Sequence, residues 1–118
     1  MELTPSWKEE ALSRISRLAL ELKTTIVAGC MTFRGMNEPK KFENHTMVFG
    51  PDGSTRGRYT KMQPIQFIEA MMVKGRDPTV IKTDLGLVAT PICYDMDYTF
   101  VVRALVQHGA EILFAPTM

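Results

Sequence analysis

The sequence predicts an α/β domain, on three observations. An amphipathic helix stands near the start, β-branched apolar stretches punctuated by turn residues fill the middle, and a second amphipathic helix sits between strand-like segments near the end. Leu12, Ile15, Leu18 or Ala19, and Leu22 recur at helical spacing, with Lys8, Glu9, Arg14, Arg17 and Glu21 mostly on the other face, which predicts a helix over 6–23. Ser6-x-x-Glu9 after Pro5 reads as a capping box, hydroxyl and carboxylate each satisfying a free amide. Thr24 to Thr32 is β-branched, apolar and too short for another helix, so it reads as a buried strand of a parallel or mixed sheet. Residues 34–43 are rich in Gly, Asn, Pro and Lys and read as a loop. Asn44–Gly50 and Ser54–Lys61 flank Pro51-Asp52-Gly53, where proline presets one turn dihedral and glycine accepts a positive φ, and together they predict a β-hairpin.

Residues 62–78 carry two prolines and a charged pair and read as an irregular excursion with one helical turn. Thr79–Thr83 and Leu87–Cys93, joined around Asp84-Leu85-Gly86, predict a second hairpin whose inner strand is apolar enough to be buried. Val101, Val102, Leu105 and Val106 predict a helix over 97–108 closed by Gly109, and Glu111–Pro116 begins another strand. With no strand ahead of the first helix and no helix after the last strand, the expectation is a fragment of a longer domain.

Composition narrows the function classes. At 118 residues and 13.3 kDa the chain is one domain at most, and 45% apolar with 23% charged residues suits a packed core. A net charge of +1 offers no field to gather nucleic acid or anionic lipid. There is no apolar run long enough to cross a bilayer and no basic-then-apolar leader, so a soluble, cytoplasmic protein is expected. Two cysteines are too few for a disulfide framework and read as free thiols. No phosphate-binding glycine pattern occurs, and Gly50, Gly53, Gly57, Gly86 and Gly109 each read as a turn or cap residue. His45 and His108 lack partners at metal-ligand spacing, so neither a metal nor another cofactor is expected. The nine methionines read as filling for irregular core space.

Cys93 sits where a buried strand turns into a helix, and free amides there would favour a thiolate and present donors to an anion. By spacing alone it reads first as a small buried hydrophobe, and Cys30, mid-strand without a charged neighbour, reads as core. Lys61 ends a hairpin strand, where most lysines are solvated, and Glu69 and Asp95 read as surface or capping charges.

Five segments taken together resemble the nitrilase, or carbon-nitrogen hydrolase, superfamily. They are Thr25-Ile26-Val27-Ala28-Gly29, Asn44 through Gly53 (N-H-T-M-V-F-G-P-D-G), Gly57-Arg58-Tyr59-Thr60-Lys61, Gly86 through Asp95 (G-L-V-A-T-P-I-C-Y-D), and Gly109-Ala110-Glu111-Ile112-Leu113. The most specific part is tyrosine-x-lysine after a P-D-G turn, with I-C-Y-D placing its cysteine 32 residues beyond the lysine. The resemblance implies an α-β-β-α sandwich, incomplete at both ends, with residues 1–118 as part of a carbon-nitrogen hydrolase domain. It also implies a Glu-Lys-Cys set: Cys93 as nucleophile, Lys61 holding the developing oxyanion with the amide of Tyr94, and Glu2 at the place of the general base, although Met1 stands where the family usually has proline. Glu69 resembles the auxiliary glutamate of the apolipoprotein N-acyltransferase branch, from which the chain departs in lacking a membrane segment and in having Asp95 rather than glutamate.

The implied reaction is attack on a non-peptide amide or nitrile, a thioester at Cys93, and release by water. The alternatives are N-acyl transfer through the same thioester and an inactive truncated remnant or association module. The implied partners are a small-molecule amide or nitrile and, for a complete domain, further copies of itself as a homo-oligomer.

Overall fold

The computed structural model describes residues 6–117, with side chains from Lys8 to Thr117. Its elements in order are α1 (Ser6–Leu22), β1 (Ile26–Phe33), β2 (Phe42–Phe49), β3 (Thr55–Thr60), β4 (Ile81–Thr83), β5 (Gly86–Ala89), a short 3-10 helix (Cys93–Asp97), α2 (Thr99–Gln107) and β6 (Ile112–Leu113). Both hairpins and both helices expected from the sequence are present. The Ser6 side chain of the expected capping box lies outside the described side chains.

The strands form two sheets. β1, β2 and β3 pair antiparallel in that order, so the strand over 24–32 sits in an antiparallel sheet rather than the parallel or mixed one expected. The mixed sheet is the other one, where β4 and β5 pair antiparallel and β5 and β6 pair parallel. α2 supplies the crossover that a parallel pair needs. At the first hairpin, Gly53 adopts φ +79°, and its N–H donates to Gly50 O at 2.9 Å while the Gly50 N–H donates to Ser54 O at 2.8 Å. Only glycine takes that φ without strain.

Four layers result. α1 lies over the outer face of the first sheet, with Lys8 Nζ donating to Thr32 Oγ1 at 2.8 Å and Ser16 Oγ to Gly53 O at 2.5 Å. The inner faces of the two sheets meet, and the Thr46 and Thr90 hydroxyls bond across the gap at 2.5 Å. α2 covers the far side, where Val101 and Leu105 are buried with Ala89, Ile92 and Tyr59. Removing each such aliphatic side chain from water contributes about 1.5–3 kcal/mol. The architecture is the expected α-β-β-α sandwich. Gly57 departs from the turn role expected of it: it lies mid-strand, and a Cβ there would come 2.8 Å from Ile81 Cγ1, so its service is close approach of the sheets. On α1 the structure buries Ala19 and exposes Leu18 and Leu22, so the inward stripe is narrower than the spacing suggested.

Segment 62–78 is irregular, with one helical turn closed by Glu69 N–H to Ile65 O at 2.8 Å. It is tied back to the first sheet by bonds from Phe42 N–H to Met71 O (3.1 Å), Val73 N–H to Phe42 O (2.8 Å) and Gly75 N–H to Lys61 O (2.8 Å). β5 ends at Ala89, short of the expected Cys93. Pro91 has no N–H to give a ladder, and the chain leaves the sheet there. Among the described residues no helix is long and apolar enough to cross a membrane.

Candidate active site

Lys61 directly follows β3. Its N–H donates to Asn44 O at 2.9 Å and its own carbonyl accepts from Gly75 N–H at 2.8 Å, so its backbone is fixed to the first sheet. The side chain is 1% exposed, which overturns the solvated strand-end lysine that position alone suggests. A buried ammonium needs a partner. Glu69, expected at the surface by composition, supplies it: Lys61 Nζ donates to Glu69 Oε1 at 3.0 Å and Oε2 at 2.8 Å, and Oε2 also accepts from Ile65 N–H at 2.6 Å. An ammonium has three N–H donors. Two are committed to Glu69, and the third has no acceptor among the described residues.

Cys93 opens the 3-10 helix, at the junction of strand and helix that the sequence indicates. It is half-buried, and its backbone φ is +47°, a value that a side-chain-bearing residue adopts only under constraint. Its N–H is taken by Pro116 O at 2.9 Å, which fixes this turn to the segment following β6. Of the free amides expected here, that of Tyr94 has no carbonyl partner among the described residues. The half-buried Tyr94 ring packs edge-on against Tyr98, with centroids 5.2 Å apart.

The two segments converge on Asp95. Sequence reasoning made it a surface or capping charge; it is completely buried. Its Oδ2 accepts from Tyr59 Oη (2.7 Å), Ile92 N–H (3.0 Å) and Met62 N–H (3.4 Å), and its Oδ1 from Gln63 N–H at 2.7 Å. The bond to Ile92 N–H is the capping part of the expectation; the other three reach across to β3 and the stretch after it. Burial and then the Asp95 carboxylate push the Tyr59 phenol well up from its ordinary value, so Tyr59 remains a donor. Three of the four donors are backbone amides adjoining Lys61 or Cys93, and a side chain that receives main-chain bonds leaves no mark in a sequence. Only the D of I-C-Y-D hinted at it.

A hollow of about 540 Å³ beside the ion pair is lined by Gln63, Pro64, Ile65, Glu69, Met72 and Tyr98 among others, and reaches Glu69 but neither Lys61 nor Cys93. Cys30, expected in the core, is only half-buried in β1. His45 is completely buried in β2 with neither ring nitrogen bonded among the described residues. Glu2 lies outside the described residues. Among the described residues no group of three His, Cys, Asp or Glu side chains could hold a metal ion.

The chain is 28% identical over 111 residues to a chloroplastic omega-amidase of Arabidopsis thaliana, covering 86% of this chain and 29% of that protein. It is 27% identical over 113 residues to a deaminated glutathione amidase of Synechocystis sp., covering 86% of this chain and 42% of that protein. Among solved structures it matches a carbon-nitrogen hydrolase from Helicobacter pylori G27 with TM-score 0.83 and 26% identity, covering 95% of this chain and 39% of that one. It shares the fold, with TM-score 0.80 at 23% identity, of a glutamate-to-glutamine mutant of an amidase from Nesterenkonia sp. AN1 that shows covalent addition of the acetamide moiety of fluoroacetamide at its active-site cysteine; 98% of this chain and 44% of that one are covered. The chain spans less than half the length of the curated relatives it matches. The family pattern of the carbon-nitrogen hydrolases matches residues 2–118, nearly end to end, and with the four-layer fold and the ordered motifs this establishes that the chain belongs to the carbon-nitrogen hydrolase family.

Proposed function

We propose that this chain carries the nucleophile and the oxyanion-binding groups of a carbon-nitrogen hydrolase acting on a small non-peptide amide or nitrile. The observation that carries the reading is the buried Lys61–Glu69 pair, whose segment is bonded through the Asp95 carboxylate to the turn that bears Cys93. In the amide reaction the thiol proton passes to a general base as Cys93 Sγ adds to the carbonyl carbon. Negative charge develops on the carbonyl oxygen, where the remaining Lys61 N–H and the Tyr94 amide receive it; donors of this kind lower a barrier by about 3–4 kcal/mol each. The base returns the proton to the leaving nitrogen, the C–N bond breaks, and a thioester remains on Cys93. Water, deprotonated by the same base, then attacks the thioester carbon, releasing the acid and restoring the thiol.

Glu2 takes the part of that base through the family resemblance alone. Glu69 holds Lys61 in place. The small net charge of +1 supports an enzyme of small molecules rather than of nucleic acid, and we assign it to the cytoplasm. The apolar outer side of the second helical layer, where Met96, Phe100 and Val106 are exposed, supports a homo-oligomer.

The test is to incubate the polypeptide that carries this chain with propionamide, follow ammonia release, and locate any acyl adduct by peptide mass spectrometry after acid quench. Ammonia release with a propionyl adduct on the Cys93 peptide, both lost in Cys93→Ser, is the expected result. Turnover that survives Cys93→Ser, or an adduct on the Cys30 peptide, overturns the reading.

A further inference from the structure

We propose that Asp95 is a positioning residue for this reaction, its carboxylate clamping the segment that bears Lys61 against the segment that bears Cys93. The inference rests on the function proposed above and adds a residue to it. The Lys61 backbone is anchored to the first sheet, through Asn44 O and Gly75 N–H, whereas the Cys93 backbone is anchored beyond the second, through Pro116 O. Neither anchor fixes one residue relative to the other. Asp95 does, because Met62 and Gln63, whose amides it accepts, directly follow Lys61, and Ile92, whose amide it also accepts, directly precedes Cys93.

A carboxylate suits this work because it accepts on both oxygens and donates on neither. Asparagine has nearly the same shape but places an NH2 group against at least one N–H donor whichever way it is turned, so one segment must move away. Glutamate keeps both acceptors and moves them outward by one methylene. Tyr59→Phe removes one donor and leaves the three main-chain bonds in place.

The experiment uses iodoacetamide as probe and Cys30 as internal reference. The ratio of the Cys93 to Cys30 alkylation rates is read by peptide mass spectrometry, alongside kcat and KM for propionamide and the circular-dichroism melting curve. For Asp95→Asn the expected result is a fall in the ratio of about 10-fold or more and a fall in kcat of about 100-fold, since displacements near 1 Å have that effect. KM should change much less than kcat, because the displaced Lys61 and Tyr94 donors act mainly on charge that develops in the transition state. Tyr59→Phe should move ratio and kcat in the same direction by about threefold, and Asp95→Glu should fall between the two.

A capping role alone would lower the melting temperature and leave both the ratio and kcat unchanged in the folded protein, and that outcome overturns the proposal. If Asp95→Asn does not fold, Tyr59→Phe and Asp95→Glu decide by the same two readouts. Propionamide turnover surviving Cys93→Ser would instead remove the function itself. A Cys93 that alkylates fast in the unaltered chain and equally fast in Asp95→Asn removes only the positioning role.

Discussion

Two cysteines, both half-buried, sit in regions built for different ends. Cys30 lies mid-strand in β1, where the antiparallel ladder fixes its backbone opposite His45, and its thiol donates to Ala28 O at 3.8 Å. Burial pushes its thiol up from the ordinary value, against the opposing pull of Lys8 and Arg58. Cys93 has left its sheet, holds φ +47°, and begins a 3-10 helix whose third residue ties it to the Lys61 segment. Exposure does not separate them. A regular strand satisfies its own amides and leaves the side chain to packing, whereas a chain that leaves its strand after Ala89 and turns sharply needs other partners, and here one of them is the Asp95 carboxylate.

The comparison breaks most visibly if the cysteines are exchanged in importance. Cys93→Ala should lower amide turnover by about 10³-fold or more while Cys30→Ala leaves it within about twofold. Ammonia release from propionamide checks both, and the melting temperature of Cys93→Ala should stay near that of the parent, because alanine fits the smaller space. Equal losses from the two would mean that both act through packing. The next effect is in stability. Lys61→Ala leaves the half-buried Glu69 carboxylate, which borders the hollow, without its ammonium partner, so the cost falls below the about 3–5 kcal/mol of a fully buried pair. Urea unfolding should report most of that loss, and Lys61→Ala, Glu69→Gln together should recover part of it.

That second effect shows where sequence reading stops. The hairpin at Pro51-Asp52-Gly53, both helices and the strand-to-helix junction at Cys93 were legible because each rests on local chemistry: a preset φ, a periodic apolar face, a cap. The burial of Lys61, Glu69 and Asp95 was not, since charge predicts exposure and only partners from distant segments reverse it. The family motifs singled out Lys61, Glu69 and Cys93 all the same, but gave no reason for Asp95, whose partners are mostly main chain. Gly57 was misread for a related reason: turn and close-approach glycines look alike in a sequence, and the second kind is defined by Ile81, 24 residues away.

On the Cys30 side the main titration concerns stability rather than chemistry. His45, facing Cys30 across the β1–β2 ladder, is held neutral: burial first, then the Lys8 ammonium, lower its pKa from 6.5 to about 4. The unfolded chain binds this proton near pH 6.5 and the folded chain only near 4, so the stability present above pH 6.5 is lost as the pH falls through that window. At pH 5 the loss amounts to about 2 kcal/mol. Urea midpoints at pH 7 and pH 5 measure it, and in His45→Leu the difference between the two should shrink by that amount. A difference that persists in His45→Leu would assign the acid sensitivity to another group.

The smallest effect sharpens the contrast between the thiols themselves. Because burial outweighs the neighbouring cations at Cys30, its alkylation by iodoacetamide should keep accelerating above pH 9.0, where an ordinary thiol levels off. Lys8→Met removes one of the two opposing cations and should slow the Cys30 reaction at pH 8 by about twofold, with Cys93 unaffected because Lys8 sits on the α1 side of the first sheet. A nearby cation alone would make the cysteines alike, since Cys30 has Lys8 and Arg58 in its field just as Cys93 is given Lys61 in the proposed site. What differs is whether the backbone holds the cation and the sulfur to a common carboxylate. A Lys8→Met change that slowed Cys93 as much as Cys30 would mean that long-range charge, rather than the turn at Cys93, sets the reactivity of both.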